Sequence, residues 1–449
     1  MNSLTQDIKT LLNLAWPVVI SRVGILTLGI TDTVMVGRYA SEHLAYLGIG
    51  MVPSNIYILI MIGLLMGTSV LVSNRFGAGE YDKTGTVLWH ALPMGFVIGL
   101  IGFVFCYFGE FWLLLTGQDA VLAEKGGHIS IIAGLSLPLA AMHMTTGFFL
   151  EGIRNPRPGM VIMIAANIIN IFANYVLVYG VYGFPELGAE GSIWATFIVR
   201  CMQVVAILSY VWFFIDHEKY GLRRPKITWS GGKDLRRIGY ASGISMGLEN
   251  GAFNALVLFA GFLGTAAVAA HVIMINVFAV FFMMGLGFGV ATAVSVGNAY
   301  GAGDMRLVKR WAWLGLSIQS FIMVVAGILM LFTAQKTGEF FSNDPAVYNL
   351  AAAMIAWVAL ALVFDTGQSL LAMALRARGD TWAPTLIHLI AYGVVMIPLA
   401  YLFIFPLGRG AMGLADGVIL GTFVPFVLVL LRYRQLDRRA AQDAALQAA

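Results

Sequence analysis

Twelve long apolar stretches constrain this chain more than any other feature. They fall at about residues 12–38, 46–73, 86–108, 128–150, 158–181, 191–214, 238–263, 268–298, 311–333, 349–374, 383–406 and 411–431. A helix needs roughly 20 apolar residues to cross the hydrocarbon core of a bilayer. The stretches are too long, and lack the period-2 alternation, for strands of a lipid-facing barrel. They predict an all-α polytopic membrane protein. The first, Leu11 to Tyr39, is too long for a secretory leader and has no small-residue cleavage site, so we expect it to be a membrane span.

Composition agrees. Apolar types make up 59% of the 449 residues, charged types 11%, and the mean hydropathy is +0.84. A soluble domain carries about 25% charged residues, so this chain cannot cover a water-facing surface. The net charge of +4 is scattered over short loops, which argues against nucleic acid as a partner. Cys106 and Cys201 lie inside apolar stretches and read as small packing side chains, with no metal spacing or disulfide framework.

Lysine and arginine sort to one side. The loops there hold Arg75, Lys83, Arg154, Arg157, Lys219, Arg223, Arg224, Lys226, Lys233, Arg236, Arg237, Arg306, Lys309, Arg310, Arg376 and Arg378, and the tail adds Arg432, Arg434, Arg438 and Arg439. The other side holds only Arg38, Lys125, Lys336 and Arg409. The positive-inside rule then puts both termini in the cytoplasm of a multi-pass bacterial inner-membrane protein.

The two halves repeat. Ile20-Ser21 matches Ile244-Ser245, Gly37 matches Gly261, Ala45 matches Ala269, Gly63 matches Gly287 and Thr68 matches Thr292. Asn74 matches Asn298, Gly77-Ala78-Gly79 matches Gly301-Ala302-Gly303, Trp89 matches Trp313 and Arg154 matches Arg378. Six helices per half start each repeat on the same side. That predicts two parallel six-helix lobes related by a pseudo-two-fold axis along the membrane normal, with a cavity between them. We expect an N-terminal lobe at 1–215, a cytoplasmic linker at 216–236 and a C-terminal lobe at 237–449 with a short basic tail. The two Gly-Ala-Gly turns are read as helix stops and not phosphate loops, since no Lys-Ser/Thr follows.

An ionisable group in hydrocarbon is costly and marks a functional candidate. Of 23 acidic residues, three fall deep inside predicted helices: Asp32, Glu249 and Asp365. Glu249 lies ~17 Å along the seventh helix from the inner face and Asp365 ~24 Å along the tenth from the outer face, at 1.5 Å per residue. Both can reach mid-membrane in one lobe. A carboxyl group in such a site can bind a proton, and two together can share a proton or sodium ion. A site balanced for one positive charge disfavours two, which is the logic of antiport. Asn170 and Asn174 are i,i+4 and share a helix face. With Thr196 they offer oxygens beside Asp32 that suit sodium. Asp416, near the start of the last helix, is within reach of outer solvent. Arg22 and Arg200 are the only bases expected deep in the helices; Arg200 is a candidate partner for one of the acids. His143, His271 and His388 also fall in helices and read as satisfied packing residues; the last can face the lobe of Asp365. Some of the 22 Met and 29 Phe residues are expected to line a cavity for promiscuous ligands.

Thr31-Asp32-Thr33-Val34-Met35-Val36-Gly37 resembles the first-helix motif of the multidrug and toxic compound extrusion (MATE) family. Asn74-Arg75-Phe76-Gly77-Ala78-Gly79 and Arg376-Ala377-Arg378-Gly379-Asp380-Thr381 resemble its motifs after the second and tenth helices. The resemblance runs along nearly the whole chain and is strongest to the NorM-like bacterial branch. It implies an acidic pair at Glu249 (in Leu248-Glu249-Asn250) and Asp365 (in Phe364-Asp365-Thr366). It also implies a proton- or sodium-binding aspartate at Asp32, with Asn170, Asn174 and Thr196 as polar partners. Asn174 departs from another bacterial branch, which has a second aspartate near that position.

The combined expectation is a monomeric secondary antiporter, not an enzyme. It needs no cofactor beyond coupling protons or sodium ions, and exports small cationic or lipophilic drugs and dyes, fluoroquinolones among them. Membrane lipids surround it. The nearest alternative is a lipid-linked precursor flippase of the wider superfamily. A membrane enzyme would need a His-Asp, metal or nucleophile cluster near an interface, and the sequence shows none.

Overall fold

A computed structural model describes residues 4–223 and 227–448. Arg224, Lys226 and Pro225 of the expected linker therefore lie outside the described residues. Every regular element among the described residues is helical. Eleven helices are long and apolar enough to cross a membrane, and a bent pair makes a twelfth span. We number them α1 (Leu4–Tyr39), α2 (Ser41–Gly77), α3 (Tyr81–Tyr107), α4 (Ala120–Gly152), α5 (Arg157–Tyr179) and α6 (Gly188–Phe214). The second set is α7 (Lys233–Leu263), α8 (Thr265–Gly301), α9 (Met305–Phe341), α10 (Pro345–Val358 with Ala361–Ala377, bent by 49°), α11 (Ala383–Ile404) and α12 (Met412–Ala448). A short helix, Gly109–Leu115, in the α3–α4 connection escaped the sequence reading.

The chain divides into two compact units. One comprises Ile20–Gly243; the other joins Met1–Val19 to Ile244–Ala449. The first turns of α1 and of α7 thus each belong with the opposite repeat. In the Ile20–Gly243 unit, Met61 and Leu65 of α2, Ile98 of α3 and Leu137 and Phe148 of α4 form an apolar core. A second cluster joins Val36, Leu47, Ile129 and Ile193. In the other unit Leu256, Met274, Met323, Ile355, Met396 and Leu414 bring α7 to α12 around one core.

Glycines at matching positions allow close approaches of backbone. A Cβ on Gly63 would lie 2.6 Å from the Ser242 carbonyl oxygen and 2.8 Å from the Gly243 Cα. At the equivalent Gly287 it would lie 2.7 Å from the Val19 Cα. We expect Gly63→Leu to destabilise the protein by about 1–3 kcal/mol through overpacking against backbone, measured as a lower thermal midpoint of the purified protein. The two Gly-Ala-Gly motifs do end helices: α2 stops at Gly77 and α8 at Gly301, and Gly79 and Gly303 both take φ of 74°, where a side chain would strain the backbone.

The repeat is visible in the clasp at the end of each bundle. Trp313 donates its indole N–H to Asp437 (3.2 Å), Arg378 pairs with Asp437 (2.7 Å) and stacks over Tyr433, and Arg432 bonds Asp380 (2.7 Å). These contacts tie α12 to α9 and to the α10–α11 turn. In the first repeat Trp89 instead donates to the Leu222 carbonyl (3.0 Å), so the segment after α6 plays the part of the α12 tail. At the α2–α3 turn, Lys83 and then Arg75 hold the exposed Glu80 carboxyl below the usual carboxylate range.

Candidate functional site

Asp32 sits on the second half of α1 and is 5% exposed. α5 and α6 bring three neutral side chains to it. Asn174 Nδ2 donates to Oδ1 at 2.8 Å and Asn170 Nδ2 to the same oxygen at 3.2 Å, while the Thr196 hydroxyl donates to Oδ2 at 2.8 Å. Asn170 and Asn174 reach one acceptor because they are one helical turn apart. Their carbonyl oxygens, Asn170 Oδ1 and Asn174 Oδ1, are buried and make no hydrogen bond. The cluster is therefore a carboxylate with unused amide oxygens beside it: among the described residues Asp32 forms no ion pair, though Arg200 is near enough to feel its charge.

The second cluster lies in the other unit. Asp365 on α10 is 1% exposed. Gln368, one turn on, donates from Nε2 to Asp365 Oδ1 (3.4 Å) and to the Tyr392 hydroxyl (3.2 Å). The Tyr392 hydroxyl lies beside Glu249, which in turn is within electrostatic range of Asp365. His388, one turn before Tyr392, packs edge-on against its ring, with centroids 5.4 Å apart, and shares a 2.6 Å hydrogen bond between Nδ1 and Ser245 Oγ. Tyr392 is set by a π-helical turn over Leu389–Met396. Pro398 explains that turn: it has no N–H to give and crowds the carbonyl four residues back.

The structure corrects the inventory of buried charges. Arg376, assigned from sequence to a loop, is 4% exposed at the end of α10, near enough to Glu249 to feel its charge, with Nε and one terminal nitrogen unpartnered. It joins Arg22, which is buried, and Arg200, which is half-buried. Glu151 is a further buried acid, 8% exposed; its partner is Arg22, whose Nη2 reaches both carboxylate oxygens at 2.9 and 3.2 Å. Arg200 forms no ion pair with an acid among the described residues; its Nη1 donates to Ser136 Oγ at 2.8 Å. Asp416 pairs with Arg409 and accepts the Trp357 indole N–H (2.8 Å). Cys106 is buried and Cys201 half-buried, both free.

His271 departs from the expectation of a satisfied packing histidine. It is fully buried on α8, and neither ring nitrogen has a partner. An unsatisfied buried polar group costs about 1–3 kcal/mol. We expect His271→Leu to raise the thermal midpoint of the purified protein.

Twelve spans built as a repeat, with acids buried against neutral partners, define a multi-pass membrane transporter. The MatE family model matches residues 17–176 and 241–402, once in each repeat. The probable multidrug resistance protein NorM of Caulobacter vibrioides is 37% identical over 98% of this chain and 94% of its own length. The multidrug resistance protein PmpM of Pseudomonas aeruginosa is 30% identical over 96% of this chain and 92% of its own. The crystal structure of the eukaryotic MATE transporter AtDTX14 superposes with a TM-score of 0.89 at 21% identity, covering 98% of this chain and 99% of that one. The chain belongs to the MatE (MATE) family of multidrug efflux transporters, and is NorM-like within it.

Proposed function

We propose that the chain exports small cationic and lipophilic compounds from a bacterial cytoplasm, exchanging them for protons or sodium ions across the inner membrane, with both termini inside. The observation that carries this reading is that Asp32, Glu249 and Asp365 are held by amide and hydroxyl groups, and none forms an ion pair among the described residues. A buried carboxylate with no cation bonded to it is available to a mobile one. Proton or sodium binding in an outward-open state neutralises the site and releases the cationic drug. Loss of that ion to the cytoplasm restores the charge and the affinity for a new drug. Each ligand need only prefer one state for the cycle to turn.

The Asp32 cluster, with Asn170, Asn174 and Thr196, offers a set of oxygens suited to sodium. The Glu249–Asp365 pair, with Tyr392, Gln368 and His388 around it, suits a shared proton or a cation. The lobes at 1–215 and 237–449 would alternate in access about the 216–236 linker. Sequence similarity to NorM and PmpM supports drug-like cargo. The test is uphill movement of a fluorescent cationic dye in proteoliposomes under a pH gradient alone and a sodium gradient alone, at zero potential. We expect one gradient to drive the dye and so to name the coupling ion. Dye that follows neither gradient overturns the reading.

A further inference from the structure

The exposed apolar stripes of α9 and α12 end alike. On α9, exposed Phe321, Val324 and Ile328 share a helix face with Trp313 and, two turns nearer the start, with exposed Arg306. On α12, exposed Phe423 and Leu431 share a face with exposed Arg434 and Arg438. The two helices meet at this end. The Tyr433 hydroxyl donates to the Val308 carbonyl (3.4 Å), and the Arg434 guanidinium lies over the Trp313 ring, 5.4 Å from its centroid. The nearby acids are committed elsewhere: Asp437 to Arg378, Asp380 to Arg432, Asp7 to Arg310, and Asp304 to the Leu307 backbone N–H. Asp443 falls on the opposite face of α12 from Arg434. Arg306, Lys309, Arg434 and Arg438 form no ion pair among the described residues, and Arg439, beside Arg438, adds to the same positive excess.

We propose that this face is a binding site for an acidic phospholipid, whose phosphate sits between Arg434 and Arg306 and whose acyl chains lie along the apolar stripes that run on from them. A water-soluble anion would have no use for those stripes. Basic sites between membrane helices take acidic head groups, and an indole such as Trp313 belongs at the level of the head groups. Stacking on that indole holds the Arg434 guanidinium in place, and its planar fork matches two phosphate oxygens. A zwitterionic lipid brings its own cation to the same place and gains less. The charge is particular to this end of one repeat. At the spacing that relates Trp89 to Trp313, the first repeat has Asp82, Tyr210 and Phe214 in place of Arg306, Arg434 and Arg438. The site is independent of what the protein exports.

Lipid binding to the purified, delipidated protein in a neutral detergent tests the site, with retained lipid counted by native mass spectrometry across a titration. The probes are phosphatidylglycerol and phosphatidylcholine with the same acyl chains. We expect the wild type to bind phosphatidylglycerol roughly twentyfold tighter, the scale of two surface cations. Arg434→Gln and Arg306→Gln should each lose about fivefold of that affinity, and the double variant should bind the two lipids equally. Arg438→Gln carries the test if Arg434→Gln does not fold. Arg157→Gln, which removes an exposed cation from the first repeat, should lose nothing. Inorganic phosphate should not displace phosphatidylglycerol. Equal binding of the two lipids by the wild type overturns the proposal. So does a loss in Arg157→Gln as large as in Arg434→Gln, which would mean attraction to the whole basic surface, or displacement by inorganic phosphate, which would mean an anion site that ignores the chains.

Discussion

Replacing Asp365 by Asn and Glu249 by Gln together is expected to reduce gradient-driven export to background, at least a hundredfold below the wild type, or about 2.7 kcal/mol. Both changes keep the shape and the hydrogen-bonding reach of the side chain and remove only the ability to carry a charge. Gln368 can still donate to the remaining oxygen of residue 365, and Tyr392 can still face residue 249. The variant should therefore fold and elute as the wild type does. Each single change should cost at least tenfold. The double should be little worse than the more damaging single, because groups that share one ion act as a unit and their effects do not add. Tyr392→Phe should cost less than either, since it removes a link between the acids and no charge. Uphill dye transport at the wild-type rate in the double variant would show that the pair couples nothing.

Much of this architecture was legible because a membrane imposes its pattern on the sequence. A span must be a long apolar run, and the twelve runs correspond to the spans seen, with ends extended where helices continue past the apolar stretch. α12 is the largest case: the reading stopped at 431, while the helix runs on to Ala448 because Arg432 and Asp437 dock on the α10–α11 turn. Local periodicity also exposed Asn170 and Asn174, whose i,i+4 spacing put both on one face and in fact on one oxygen of Asp32.

What could not be read are the pairings between distant segments. Arg22 and Glu151 are 129 residues apart, and nothing near either one announces the other. Glu151 falls just past the predicted end of its helix, where any acid looks solvated. Arg376 was lost to a rule that assigns arginines at helix ends to the cytoplasmic side. The bent α10 extends to Ala377 and carries it into the protein. Tyr392 gave a weaker signal that could have been used. It lies one turn from His388, and Pro398 after it marks a disturbed helix. Gln368, one turn from Asp365, was legible by the same spacing that revealed the asparagines.

Breaking the Arg22–Glu151 pair from one side should be among the most damaging single changes to stability. Glu151→Leu leaves a guanidinium that is 6% exposed without its carboxylate; Arg22→Leu leaves the carboxylate without its guanidinium. Removing one partner of a buried pair typically costs about 3–5 kcal/mol, because the survivor keeps its desolvation penalty and loses its compensation. Arg22→Leu also gives up the contact with the Phe148 ring, 5.2 Å from the guanidinium carbon, worth about 0.5–2 kcal/mol. The double variant, Arg22→Leu with Glu151→Leu, removes both penalties. It should return to within about 1–2 kcal/mol of the wild type, since apolar replacement of a whole buried pair is often neutral. Unfolding of the four proteins in one detergent measures the cycle. Singles that fall far below the double would establish that the two charges are buried for each other. If the double is as unstable as the sum of the singles, the two side chains do not compensate each other, and each must be held by other groups around it.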